Sequence, residues 1–256
     1  MRKAIEIEGL RVVYPSKAGS VNALEGIDLV AEDGEFLSVL GPSGCGKSTL
    51  LKAVAGLLSL RRGSIKVYDE LVRGPTPNVG IVFQNAVLMN WRTVLKNIML
   101  QVEVRGLDRE TYRRRALELI KLVGIEGFDN HYPFQLSGGM QQRVSICRAL
   151  IHDPPLLLMD EPFGSLDALT RETMNLELQR IWLESRKTVL FITHSIPEAV
   201  FLADRVVVLS ERPGRVRAVV RVDLPRPRDL STMEHPEFVG MVGRLRRELQ
   251  SAGRLD

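Results

Sequence analysis

The stretch Gly41-Pro42-Ser43-Gly44-Cys45-Gly46-Lys47-Ser48-Thr49 constrains this chain more than any other. Gly41, Gly44 and Gly46 leave main-chain N–H groups uncovered and let the backbone bend so that those groups converge. A point ringed by N–H donors attracts an anion, and Lys47 adds a cation beside it. Ser48 offers a hydroxyl suited to Mg²⁺. The spacing is that of the phosphate-binding loop of nucleotide triphosphatases. Its flanks agree. Phe36-Leu37-Ser38-Val39-Leu40 reads as a buried strand, and Leu50, Leu51, Val54 and Leu57 recur at helical spacing. A helix starting here directs its positive end at the same anion. A chance glycine-rich turn would need neither flank. The loop specifies a nucleotide but no particular use of it.

A length of 256 residues allows one large domain or two small ones. The net charge of +4 is spread over the whole chain, which favours an ordinary solvated surface over a nucleic-acid footprint. Cys45 and Cys147 lack CxxC or Cys/His partners, so a metal site is not indicated and a reducing compartment fits. Acidic residues interrupt the N-terminal pattern, so no signal peptide is expected there. No stretch reaches the roughly 20 apolar residues of a membrane span.

Residues 4–14 alternate, with Ile5, Ile7 and Val12 among charged neighbours, and predict an edge strand. Two strands are expected in 21–40 around the turn Glu32-Asp33-Gly34, a hairpin arm in 63–70 and a strand in 79–83 ending at Gln84. Between about 86 and 151 the texture is helical. Tyr112, Ala116, Leu119, Ile120 and Val123 share one face, and Arg113, Arg114 and Arg115 read as solvated. This stretch is the expected helical subdomain inserted in an α/β core. Strands follow at 155–159, 188–193, 205–209 and 215–224, with helices at 169–186, 197–202 and 237–250.

A second constellation ends the apolar run Leu156-Leu157-Leu158-Met159 with two carboxylates, Asp160 and Glu161. Asp160 is placed to hold Mg²⁺ through water. Glu161 is placed to activate an attacking water. Leu136-Ser137-Gly138-Gly139-Met140 then offers a helix N-cap followed by uncovered N–H groups, a second anion-binding helix start. Taken alone, that segment reads better as an ordinary capped helix after a loop.

Together these segments resemble the ATP-binding subunits of ABC transporters, over nearly all of residues 4–224. The fold this implies is a P-loop α/β core with a mixed sheet, an N-terminal antiparallel β subdomain and the inserted helical subdomain. Residues 1–230 would form the ATP-binding domain and 231–256 a helical tail. Met140 departs from the glutamine more usual at that position. The resemblance makes Gly41 through Thr49, with Lys47, the ATP cradle and Tyr14 the residue that stacks on adenine; the plainer reading of Tyr14 is a strand-end tyrosine. Gln84 would touch Mg²⁺ or the water, and Ser48 and Asp160 would hold the metal. Asp167, in Ser165-Leu166-Asp167, would lie on a loop crossing a dimer interface. His194 would contact the γ-phosphate, where a lone histidine after a strand is otherwise structural. Cys45 should be shielded from thiol reagents by MgATP.

The resemblance also implies a head-to-tail dimer, with Ser137, Gly138 and Gly139 completing the site of the partner, taken as an identical copy. ATP closes the dimer and hydrolysis reopens it, driving an integral-membrane permease and, indirectly, serving a solute-binding protein. The place of work is the cytoplasmic face of the inner membrane. No nucleic-acid partner is implied. Trp91-Arg92-Thr93-Val94, Met140-Gln141-Gln142-Arg143 and Arg212-Pro213-Gly214-Arg215 are most similar to the importer branch for nitrate, sulfonates and taurine. Trp91 would belong to the surface that receives the permease, or else to the subdomain core. The alternative is a soluble repair or translation ATPase, but repair members insert a long coiled coil before the signature and translation members carry two cassettes. A plain P-loop kinase or GTPase would not need the signature segment.

Overall fold

The computed structural model describes residues 2–16 and 19–252. It divides into two compact units: the residues up to Pro77 together with those from Arg186 onward, and Asn78–Ser185 between them.

The first unit begins with β1 (Lys3–Ser16) and β2 (Gly19–Glu32), then β3 (Phe36–Leu40), α1 (Lys47–Val54), β4 (Arg62–Val67) and β5 (Glu70–Leu71). Strands β2, β1, β4 and β5 form an antiparallel sheet in that order. The expected edge strand at 4–14 is therefore an inner one, with β2 on one side and β4 on the other. Alternation reports which face of a strand is buried, not its rank in the sheet. Ile5, Ile7, Leu10 and Val12 are buried. Glu6 lies on the opposite face, within 3.5 Å of Lys66 across the pair with β4. Tyr68 and Asp69 both have positive φ, which closes the two-residue turn between β4 and β5.

The second unit holds β6 (Val79–Val82), α2 (Val94–Ile98), α3 (Leu100–Arg105), α4 (Arg109–Leu122), α5 (Gly138–Leu150), β7 (Leu156–Asp160) and α6 (Ala168–Ser185). Strands β6 and β7 pair in parallel. Helix α5 approaches β6 so closely that a Cβ on Gly80 would lie 2.4 Å from the Ala149 carbonyl. On α4, Ala116, Leu119 and Ile120 are buried as their spacing predicts, while Arg113 and Arg114 are exposed.

The chain returns to the first unit with β8 (Thr188–Ile192), α7 (Ile196–Leu202), β9 (Arg205–Leu209), β10 (Val216–Arg221) and α8 (Pro236–Ala252). Strand β3 lies between β8 and β9, parallel to both, and β10 joins β9 antiparallel. Every residue of β3 and β8 is buried, as an apolar run without alternation demands. The Phe36 and Phe191 rings meet there at 5.7 Å. Arg205 ties this core to β2, donating to Glu35 Oε2 at 2.9 Å and the Val30 carbonyl at 2.6 Å. The expected tail, 231–256, holds α8; its last four residues, 253–256, lie outside the described residues.

Candidate nucleotide site

The glycine loop leaves the buried end of β3 and enters α1 at Gly46, which caps the helix with φ at +108°. Gly44 has φ at +71°. Both conformations are strained for other L-residues. Gly41 is required for a different reason. A Cβ there would lie 2.7 Å from Cys45 Sγ and 3.2 Å from Leu209 Cβ. A Cβ on Gly46 would lie 2.7 Å from Leu24 Cδ2 and 2.8 Å from the Ala23 carbonyl. The loop is thus closed tightly on its inner side.

Lys47 is buried, and its ammonium donates to the carbonyls of Gly41 at 2.8 Å and Pro42 at 3.0 Å. These bonds hold its charge inside the arc of the loop. Ser43 and Ser48 are exposed and Thr49 half-buried. The Tyr14 hydroxyl donates to Thr49 Oγ1 at 3.3 Å, which places this tyrosine beside the first turn of α1.

Cys45 differs from expectation. Its side chain is buried against Gly41, on the inner side of the loop, and burial pushes the thiol pKa up against the opposing pull of Lys47. The thiol is already covered in the chain by itself, so MgATP has no exposed sulfur to shield. Any contact of Cys45 with phosphate would run through its backbone.

The segment Arg212–Arg215 supports this loop, which sequence patterning alone does not reveal. Arg212 Nε donates to the Gly44 carbonyl at 3.2 Å. Gly214 exchanges backbone bonds with Ala23 and Glu25 at 3.0 Å each. A Cβ on Gly214 would lie 2.2 Å from the Cys45 carbonyl.

In the same unit, β8 ends at Thr193-His194-Ser195. His194 is exposed, while Thr193 before it is buried. Ser195 caps α7, accepting from the Glu198 N–H at 3.4 Å.

The second unit carries the carboxylates. Strand β7 delivers Asp160, half-buried, and Glu161 follows with φ at +45°. A positive φ at a glutamate costs about 1 kcal/mol and turns the side chain out of the line of the strand. Gln84, just past β6, donates its Nε2 to Glu161 Oε2 at 3.4 Å. Buried Gln142 on α5 donates to the Phe83 carbonyl at 3.1 Å and so anchors the backbone before Gln84. A Cβ on Gly164 would lie 3.4 Å from Gln84 Nε2 and 3.7 Å from Glu161 Oε2, ordinary contact distances that place this residue beside the carboxylate. The role of Gln142 escapes sequence reasoning because its partner lies 59 residues away.

Ser137 caps α5 as its type predicts, with its hydroxyl accepting from the Met140 N–H at 3.3 Å. Ser137 and Gly138 are exposed. Asp167 caps α6: Oδ1 accepts from the Thr170 N–H at 3.0 Å and Oδ2 from its hydroxyl at 2.7 Å. Those bonds hold its carboxyl below the usual range. Trp91 is 77% exposed, which removes its core reading. Its loop is held by buried Asn97, whose side chain accepts from Met89 N–H at 2.8 Å and donates to the carbonyls of Met89, Arg92 and Thr93 at 2.9–3.1 Å.

A buried strand, a glycine loop with a lysine folded into it, and a helix started by that loop define a P-loop nucleotide triphosphatase. Comparison with known proteins places it further. The ABC transporter family matches residues 24–164. An uncharacterised ABC transporter ATP-binding protein of Methanocaldococcus jannaschii is 48% identical over 93% of this chain and 89% of its own length. The taurine import ATP-binding protein TauB of Escherichia coli is 44% identical over 87% of this chain and 89% of its own. Among solved structures, a dimeric ATP-binding cassette in a post-hydrolysis state with ADP and Pi superposes with a TM-score of 0.76. It shares 32% identity and covers 86% of this chain and all of that one. The cbiO1 protein of Clostridium perfringens, part of the cbiONQ transporter complex, gives 0.77 at 26% identity over 98% and 99%. The chain belongs to the ABC transporter family; it is an ATP-binding, ATP-hydrolysing subunit of such a transporter.

Proposed function

We propose that this chain energises an importer of the nitrate, sulfonate and taurine type, working as a head-to-tail pair of copies on a separate permease. The observation that carries the importer reading is the extent of the likeness to the taurine import protein, close to nine-tenths of both chains. The dimer reading is supported by the dimeric cassette with ADP and Pi. A permease partner is supported by the likeness to cbiO1, part of the cbiONQ transporter complex. It is supported too by exposed Trp91, a large apolar group held out on a pinned loop.

In this reading ATP lies on the cradle of Gly41–Thr49, with Lys47 at its β- and γ-phosphates and Tyr14 on adenine. Among the described residues no cluster of three His, Cys, Asp or Glu could cage a metal. In this reading Ser48, Gln84 and Asp160 would be the protein ligands of Mg²⁺. Mg²⁺ would supply charge neutralisation at the phosphates. Glu161 takes the proton of the attacking water, with Gln84 keeping its carboxylate oriented. His194 contacts the γ-phosphate. Ser137, Gly138 and Gly139 of the second copy cover the same nucleotide, and closure of the pair moves the permease. Asp167 lies on the loop that crosses between copies. A solute-binding protein delivers the substrate outside, and this subunit works at the cytoplasmic face of the membrane.

The test is capture of partners from native membranes with tagged Glu161→Gln protein and MgATP, read by mass spectrometry. A multi-span permease is the expected result. Ribosomes, DNA-repair proteins or an absence of membrane partners would overturn the transport assignment in favour of a soluble ATPase.

A further inference from the structure

Helix α7 follows His194 and is seven residues long, far below the length at which a helix holds in water by itself. Its N-terminal end is tied to the end of β8 by its own residues, and its C-terminal end is held from outside the helix. At the N-terminal end, buried Glu198 holds both neighbours of His194. Its Oε2 accepts from the Thr193 hydroxyl at 2.5 Å, and its N–H donates to Ser195 Oγ at 3.4 Å. The Ser195 N–H donates to Thr193 Oγ1 at 3.0 Å and closes the ring. His194 stands in the middle of this ring with its own side chain exposed.

At the C-terminal end, two arginines from the segment after β10 occupy four consecutive carbonyls. Arg228 Nη1 donates to Val200, Phe201 and Ala203 at 2.8, 3.0 and 2.9 Å, and Arg226 Nη2 donates to Leu202 at 2.5 Å. Arg228 Nη2 reaches back to the Leu224 carbonyl at 3.0 Å, and Arg226 also pairs with Asp204 at 2.9 Å. Arg228 is 2% exposed. Carbonyls at a helix C-terminus have no partner within the helix and carry its negative end, so a guanidinium fork satisfies both needs. A surface histidine loop does not require so large a group to be buried merely to close a seven-residue helix.

We infer that α7 is a strut that positions His194, with Glu198, Arg226 and Arg228 as positioning residues for ATP hydrolysis. This rests on the reading of His194 as the γ-phosphate contact. A helix is stiff along its axis, so play at the Ala203 end is passed to the Ser195 end about 12 Å away. Releasing the arginine grip leaves buried carbonyls unpaired, loosens the ring and lets His194 wander. The cradle around Lys47 makes none of these bonds. ATP affinity should therefore hold while turnover falls.

The test uses the full chain and measures kcat, the KM for ATP and nucleotide bound per molecule. Arg228→Met should lower kcat on the order of tenfold with KM within about twofold, a loss typical of small misplacement. Arg226→Met should do so more mildly, and it carries the test if Arg228→Met does not fold. Glu198→Ala should lower kcat, and Glu198→Gln should restore most of it, because its carbonyl still accepts from Thr193. In a His194→Ala background, Arg226→Met and Arg228→Met should lower kcat no further. Wild-type kcat in both arginine variants beside a lowered but measurable kcat in His194→Ala would overturn the inference alone. So would losses that multiply with His194→Ala or track lost nucleotide binding, since these mean general destabilisation. Wild-type kcat in His194→Ala would overturn the underlying reading as well.

Discussion

Gly41 and Cys45 offer a steric test of how the cradle is built. Gly41 has no positive φ, so alanine is allowed there by its backbone and any cost is one of space. The added Cβ would lie 2.7 Å from Cys45 Sγ, about 0.8 Å inside an ordinary van der Waals separation. It would also press on Leu209 at 3.2 Å. Forcing a methyl into such a site costs about 2–3 kcal/mol. Cys45→Ala alone removes a buried sulfur and should cost about 1 kcal/mol. In the double variant the new methyl occupies the space the sulfur left. The pair should then be about 1–2 kcal/mol more stable than the sum of the singles, short of full rescue because the Leu209 contact persists. Equilibrium urea unfolding with unchanged slope measures each corner of the cycle. Additive losses, within about 0.5 kcal/mol, would refute the placement of the sulfur behind Gly41. A second readout is thiol labelling. Burial both covers Cys45 and raises its pKa, so labelling should be slow with and without MgATP. Fast labelling that nucleotide blocks would put the sulfur in the cradle and refute the same point.

Other perturbations follow from the same geometry. Lys47→Ala removes the donor to Gly41 and Pro42 together with the charge the loop encloses, and should weaken ATP binding by about a hundredfold, read by nucleotide titration. Glu161→Gln keeps the shape next to Gln84 and Gly164 but cannot take a proton; ATP should still bind while hydrolysis falls about 10²–10⁴-fold. Trp91→Ala should leave unfolding stability within about 0.5 kcal/mol, because the indole is exposed, and should reduce co-purification of the permease.

Much of the fold is legible in the chain because its core strands are written without alternation. Phe36–Leu40, Leu156–Met159 and Thr188–Ile192 are apolar runs between loop signals, and each is a buried strand. Where the residues do alternate, the pattern carries less. In residues 4–14 it marks Ile5, Ile7 and Val12 as inward and says nothing of the strand on the far side. The inner position of β1 follows from pairing with β4, some 55 residues on, which no local window contains.

The same division runs through the candidate site. Glycines and capping residues declare themselves because their chemistry acts on their own neighbours: Gly46 starts α1, Ser137 caps α5 and Asp167 caps α6. Residues that hold those groups from a distance are silent in the sequence. Arg212 at Gly44, Gln142 at Phe83 and Arg228 at the end of α7 each act on a main-chain carbonyl, which every residue type presents alike. No pattern of residue types can therefore reveal such a partner. Cys45 is the converse case: it lies within the most recognisable motif of the chain, yet its side chain lies buried against Gly41, and the motif conveys only where its backbone runs.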